Sequence, residues 1–215
     1  MKDETLRNNY RRQELEAAQK DMTYFTSDQH FGHTAIIRIC SRPFADTETM
    51  NEALIANWNR RVKPGDTVYI CGDLIYQNAA DPECFLERLR GKKYLLTGNQ
   101  EHGWLRNISM RMHFAHIAES MVISHDGHRI FLCHKPVLPI PAGADTMVYG
   151  HLHNHRTDPL YKQLASMENA LNAGADINAY MPVTFQELAE NNLRFHQAPA
   201  APGGRQNSPV NMRPD

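Results

Sequence analysis

The stretch Thr23-Tyr24-Phe25-Thr26-Ser27-Asp28-Gln29-His30 decides the fold. Its first four residues are β-branched or aromatic, the types that suit a pleated strand. The strand then breaks into polar residues and delivers a carboxylate and an imidazole two positions apart. The same figure recurs four times. Thr67-Val68-Tyr69-Ile70-Cys71 runs into Gly72-Asp73, and Tyr94-Leu95-Leu96-Thr97 into Gly98-Asn99. The run 129–133 reaches His134-Lys135-Pro136, and Thr146-Met147-Val148-Tyr149 reaches Gly150-His151-Leu152-His153. In open α/β folds, ligand sites collect beyond the carboxyl ends of strands. Five converging strand ends would gather Asp28, His30, Asp73, Asn99, His134, His151 and His153 at one rim.

Between these strands the chain predicts helices. Met50, Leu54, Trp58 and Val62, with Ile55, recur at helical spacing over 47–62, and Thr49 and Glu52 are spaced as a capping box. Pro64-Gly65-Asp66 makes a turn. Asp81 to Arg90 is a short helix with Phe85, Leu86 and Leu89 on one face, closed by Gly91. Residues 115–123 and 129–133 read as two strands joined at Asp126-Gly127, a hairpin signal. Leu171 to Ile177 forms a last strand. Pro182 to Asn192 is a helix capped by Thr184 and Glu187. The organisation is an N-terminal extension over 1–21, helical from Glu4 to Lys20, one α/β domain over 22–195, and a disordered tail over 196–215.

Composition narrows the function classes. The chain has 215 residues, enough for one sizeable core, with 41% hydrophobic and 22% charged residues, as in an ordinary globular protein. Its formal net charge of −1 supplies no global field toward nucleic acid or anionic membranes, so nucleic acid is not the favoured partner. No apolar run approaches the roughly 20 residues that span a bilayer. Met1 to Lys20 has no apolar core of a signal peptide, so the expected compartment is the cytoplasm. Cys40, Cys71, Cys84 and Cys133 form no C-x-x-C pair and read as free buried thiols.

Carboxylate, imidazole and amide oxygen together suit borderline divalent ions. Two such ions about 3.5–4 Å apart can lower the pKa of a bridging water and offset charge in an in-line displacement at phosphorus. Singly, each fragment has a bland reading: D-x-H arises by chance, G-D after a strand is a turn, and H-x-H in a loop is surface polarity. Their ordered combination carries the weight.

The order D-x-H, G-D, G-N, H, G-H-x-H resembles the calcineurin-like metallophosphoesterases. The wider text resembles a small prokaryotic and phage branch of them: residues 24–33, Arg42-Pro43-Phe44, Met50-Asn51-Glu52-Ala53-Leu54-Ile55, Asp66-Thr67-Val68-Tyr69, Asn172-Ala173-Gly174-Ala175-Asp176 and Pro182-Val183-Thr184-Phe185. The likeness spans 23–190. It implies a four-layer αββα sandwich, two sheets packed together with helices outside. It implies hydrolysis of a small phosphate monoester or diester by a hydroxide bridging two ions, Mn²⁺ ahead of Fe²⁺, Zn²⁺ or Ni²⁺. Asp28, His30 and His153 would hold the first ion, Asn99, His134 and His151 the second, and Asp73 would bridge them.

The resemblance departs at one residue. Family members commonly continue G-N with a His that binds phosphate and protonates the leaving oxygen; here Gln100 follows Asn99. An amide donates a hydrogen bond but is no general acid, a loss that typically costs about 10²–10⁴-fold in rate. Three outcomes stay open: Gln100 serves only as a phosphate donor, His33 or His102 takes over, or activity is weak or lost and a metal-bound interaction module remains. Arg42 is a further candidate for phosphate, and Arg38 reads as solvated helix-face charge.

Overall fold

The computed structural model of the protein describes residues 21–199. The N-terminal helix expected over 4–20 lies outside them, as does most of the expected tail. Eight strands form two four-stranded sheets. The first is wholly parallel, in the order β1 (Thr23–Thr26), β2 (Thr67–Ile70), β3 (Lys92–Leu96) and β4 (Phe114–Ala118). The second runs β5 (Ser120–His125), β6 (His128–Cys133), β7 (Thr146–Tyr149) and β8 (Ala170–Asn172), with β5 antiparallel and the rest parallel.

Alternation along the strands builds three apolar layers. Tyr24, Val68, Ile70 and Leu95 face outward from the first sheet onto α1 (Thr34–Ile39), α2 (Thr47–Arg61) and α3 (Pro82–Arg88), meeting Ile36, Leu54, Trp58 and Leu86. Phe25, Cys71 and Leu96 point the other way and pack between the sheets against Ile130, Leu132 and Val148. Cys133, Met147 and Tyr149 form the outer face of the second sheet and meet Leu164 of α6 (Tyr161–Ala165). The molecule is therefore an α/β sandwich of two sheets with helices outside. No helix among the described residues is long and apolar enough to cross a membrane.

Several local readings change. The run 115–123 is two strands, because at Glu119 the chain leaves the first sheet for the second. The cap of α2 is Asp46, whose carboxylate accepts from Thr49 N at 2.7 Å. Thr49 sits inside the first turn, and Glu52 pairs with Arg88 instead. The last strand stops at Asn172, whose side chain accepts from Gly174 N at 2.8 Å and turns the backbone aside. The helix expected over 182–192 is α7 (Phe185–Gln197), with the Thr184–Glu187 capping box in place. It carries on past the boundary drawn at 196. Short helices α4 (Glu101–Trp104) and α5 (Met110–His113), like α1 and α6, lack the length for a periodic signal. Cys40, Cys71 and Cys133 are buried, but Cys84 is exposed on α3.

Candidate metal centre

β1, β2 and β3 of one sheet and β6 and β7 of the other end at the same rim, and their seven following polar residues meet there. Five of them bend the backbone into the left-handed region: Asp28 (φ 56°), His30 (55°), Asp73 (53°), His151 (72°) and His153 (49°). Such conformations cost of order 1–3 kcal/mol each in residues other than glycine, and persist only where surroundings enforce them. Here the enforcement is visible. Asp28 N donates to Gly72 O at 3.0 Å and His30 N to Asp73 O at 3.1 Å, lacing the two broken strand ends together. Ser27 Oγ donates to Cys71 O at 2.6 Å. Gly150 makes room: a Cβ there would overlap Ser27 Oγ and lie 2.8 Å from Asp28 Oδ2.

The side chains form two groups that share Asp73. Asp28, His30 and His153 bring ligand atoms within 4.8 Å of one another. Their rings stack, with His30 and His153 centroids 5.1 Å apart. On the other side, His134 Nε2 lies 3.0 Å from Asn99 Oδ1 and 3.2 Å from His151 Nδ1. Asp73 faces both groups: Oδ2 is 3.5 Å from His30 Nε2 and Oδ1 is 3.5 Å from His134 Nε2.

This arrangement fits divalent cations. His30 Nε2 is buried with no hydrogen-bond partner among the described residues, although a carboxylate oxygen waits just beyond hydrogen-bonding range. In the second group two imidazole nitrogens and two oxygens converge with few protons to share, which a cation relieves. Burial, with His153 and Arg42 nearby, holds His30 well below the ordinary histidine range. Burial and His134 lower His151 to about 4. Both are thus neutral imidazoles near pH 7, the form that binds metal. For His153 burial pulls down, yet Asp28 and Asp176 hold it well above the ordinary value.

The rear nitrogens are anchored, the usual device for aiming a ligating imidazole. His134 Nδ1 lies 2.9 Å from Cys71 O, and His153 Nδ1 lies 2.7 Å from Asp176 Oδ2. His30 Nδ1 lies 3.1 Å from His33 Nδ1, and the His33 ring stacks on Tyr76 at 4.1 Å. His33 therefore borders the site, its own value lowered to about 4 by burial and then by Arg42.

Two acidic residues matter that residue-by-residue reading assigned no role. Asp176 ends the run Asn172-Ala173-Gly174-Ala175-Asp176, and Glu101 stands two places after Asn99. Glu101 is buried and accepts from Asp73 N at 3.0 Å, Leu74 N at 2.9 Å and Gly98 N at 2.7 Å, clamping the ends of β2 and β3 together. Burial and Asp73 push its carboxyl up to about 7.

Other candidates resolve unevenly. Gln100 is buried at the rim: its N–H donates to Asp73 Oδ1 at 3.0 Å, and its Oε1 accepts from Gln77 N at 3.2 Å. His102 is exposed on α4, and Arg38 and Lys135 are exposed as well. Arg42 is a correction. Its guanidinium is buried and donates to both oxygens of Asp176, to Gln29 O and Asp28 O at 2.7 Å each, and to Met50 Sδ. All five N–H groups are engaged, so none is left for a phosphate.

No family model matches the chain. Over 170 residues it is 32% identical to the uncharacterized protein MJ1445 of Methanocaldococcus jannaschii, covering 78% of this chain and 89% of that one. The crystal structure of the protein of unknown function AQ665 from Aquifex aeolicus is 27% identical and superposes with a TM-score of 0.63, covering 80% of this chain and 99% of that one. The Pseudomonas putida nuclease MPE is 19% identical, with a TM-score of 0.41 over 61% of each chain. The length and identity of the first match show that the chain belongs to the same family as the Methanocaldococcus jannaschii protein.

Proposed function

We infer that this protein is a divalent-metal-dependent phosphoric ester hydrolase with a two-ion centre. The observation that carries the reading is Asp73, whose two carboxylate oxygens face two separate groups of metal-binding side chains. Asp28, His30 and His153 would hold one ion and Asn99, His134 and His151 the other, with Asp73 between them. Bound divalent ions supply neutralisation of phosphoryl charge and lower the pKa of a nearby water. The order of these residues along the chain, which resembles the calcineurin-like metallophosphoesterases, supports the same reading. Manganese is the first ion to test.

The chain's own groups prepare the rest. With Asp176 Oδ2 beside Nδ1, a proton would be held there and Nε2 of His153, which faces Asp28, would be the nitrogen that takes the ion. The Gln100 amide nitrogen and His33 are hydrogen-bond donors for phosphoryl oxygens. An amide cannot hand over a proton as an acid, so diesters and esters with good leaving groups suit this site best. That observation also supports a second reading, a metal-bound interaction module with little turnover. Fold alone does not choose between them.

Purified protein supplied with Mn²⁺ and given bis-nitrophenyl phosphate or nitrophenyl phosphate separates the two. The hydrolase reading expects nitrophenolate release that chelator abolishes. Bound metal without turnover of either ester would support the module instead.

A further inference from the structure

β5 ends the second sheet, and its outer edge has no neighbouring strand among the described residues. Asp126 and Gly127 have φ of 48° and 82°, the left-handed pair of a two-residue hairpin turn. Bonded and non-bonded pairs then alternate along β5 and β6, starting from a bonded His125–His128 pair. Arg129, opposite Ser124, fits this phase. Its N–H donates to Asp145 Oδ2 at 2.8 Å and its carbonyl accepts from Asp145 N at 2.9 Å, both away from β5. Ser120, Val122 and Ser124 therefore turn their N–H and C=O groups out from the sheet edge, where no described residue bonds them.

Natural sheets blunt such an edge with lysine, proline or a bulge. β5 has none of these: its register with β6 is unbroken, and Ser-Met-Val-Ile-Ser-His holds no proline, lysine, arginine or acid. Its two faces differ. Met121 and Ile123 pack into the layer between the sheets, and His125 lies against Phe25. Ser120, Val122 and Ser124 are exposed on the other face, Val122 to 46%.

The strand's own sequence fits this edge. Residues 120–124 read alike in either direction by chemical type: Ser, apolar, Val, apolar, Ser. Laid antiparallel against a second copy about Val122, every outward-bonding residue meets another, Ser120 with Ser124 and Val122 with Val122. Met121 then lies beside Ile123, which carries the apolar layer between the sheets across the seam. One step beyond the strand, exposed Glu119 comes opposite His125, a donor for its carboxylate rather than a like charge. Moving the axis one residue either way drops Ser120 or Ser124 out of the pairing. An unrelated extended segment would find the same backbone bonds but no such matched register.

We propose that β5 is a homodimerisation edge, at which two copies of this chain join their second sheets into one about a two-fold axis at Val122. Such an interface is isologous and closes on itself. Because the paired strands run in opposite directions, the two rims point to opposite ends of the joined sheet, and each copy keeps its own complete centre. The proposal is independent of the hydrolase reading. A seam of one strand is small, which places the dimer among the weak, concentration-dependent kind.

The full chain is followed by sedimentation up to about 300 µM, enough to reveal a dimer of sub-millimolar Kd. Amide exchange is measured residue by residue at low and high concentration. The expected result is a reversible dimer in which exchange at Ser120, Val122 and Ser124 slows with concentration, while Met121 and Ile123, already bonded to β6, change little. Val122→Lys sets two like charges face to face on the axis and should raise the Kd by about tenfold or more. Val122→Pro removes the N–H on the axis, at a position where an edge strand accepts proline, and should act in the same direction. A urea midpoint near the parent's shows that either variant is folded. A chain that stays monomeric throughout, a dimer that both folded variants leave unchanged, or a dimer in which those three amides exchange as before overturns the proposal. Protection of the three amides that does not depend on concentration overturns it too, and gives the edge to another segment of the same chain.

Discussion

Arg42 and Asp176, 134 residues apart in the chain, form a buried two-pronged ion pair, with Nε to Oδ1 at 2.9 Å and Nη2 to Oδ2 at 3.1 Å. The same guanidinium holds the carbonyls of Asp28 and Gln29, and the same carboxylate meets His153. The pair ties the first strand break to the last. Removing one partner of such a pair strands the other charge, which typically costs about 3–5 kcal/mol. Arg42→Met is expected to lower urea stability by that amount. Asp176→Asn is expected to weaken divalent-metal affinity by about 10–100-fold, the usual effect of losing a ligand's outer partner. Calorimetric metal titration checks the second; an affinity unchanged in Asp176→Asn would mean that His153 does not depend on it.

Asp73→Asn removes the charge shared by both side-chain groups. Metal content measured after dialysis should fall at both positions together, and turnover should fall with it. Loss of only one ion per chain would place the shared ligand elsewhere, with Asp28 the next to test, since its carboxylate also lies with Asp73 and His134.

Glu101→Gln swaps an acceptor of three N–H bonds for a group that must present an N–H to one of them. A buried donor left unpaired costs about 1–3 kcal/mol, which urea unfolding would read. The acid also sets a slope with pH. Its carboxyl is raised from 4.5 to about 7 by burial and Asp73, so the metal-free fold gains from its proton. That contribution is fully present below 4.5 and is lost as pH rises through 7. Glu101→Gln should remove this part of the slope, seen as flatter metal-free stability between pH 4.5 and about 7.

Gln100→His would place an imidazole where an amide now accepts from Gln77 N. Turnover of esters with poor leaving groups should rise more than that of nitrophenyl esters, up to the ~10²–10⁴-fold range of general acid catalysis. Matched rates for the two classes, before and after, would show that another group already supplies the proton.

The sequence exposes the rim because each strand is short and soon runs into a polar residue, as β1 does at Ser27 and β7 at His151, one place past Gly150. What it conceals is relational. Nothing local distinguishes Arg42, fully engaged in the interior, from Arg38 on the surface; only the distant Asp176 does. The crossing at Glu119 is silent because no glycine, proline or turn pair marks it. Thr49 and Glu52 have capping-box spacing, but Asp46 captures the amide first. Cys84 follows the usual habit of cysteine in composition, and escapes it because α3 turns Pro82 and Leu86 inward instead.

The left-handed backbone at Asp28, His30, Asp73, His151 and His153 sets two demands of the chain against each other. Glycine at any of the five would relax the local conformation and delete a donor. The rim keeps its donors by holding five side chains in a backbone conformation they disfavour, so its chemistry is set at the expense of the fold that supports it.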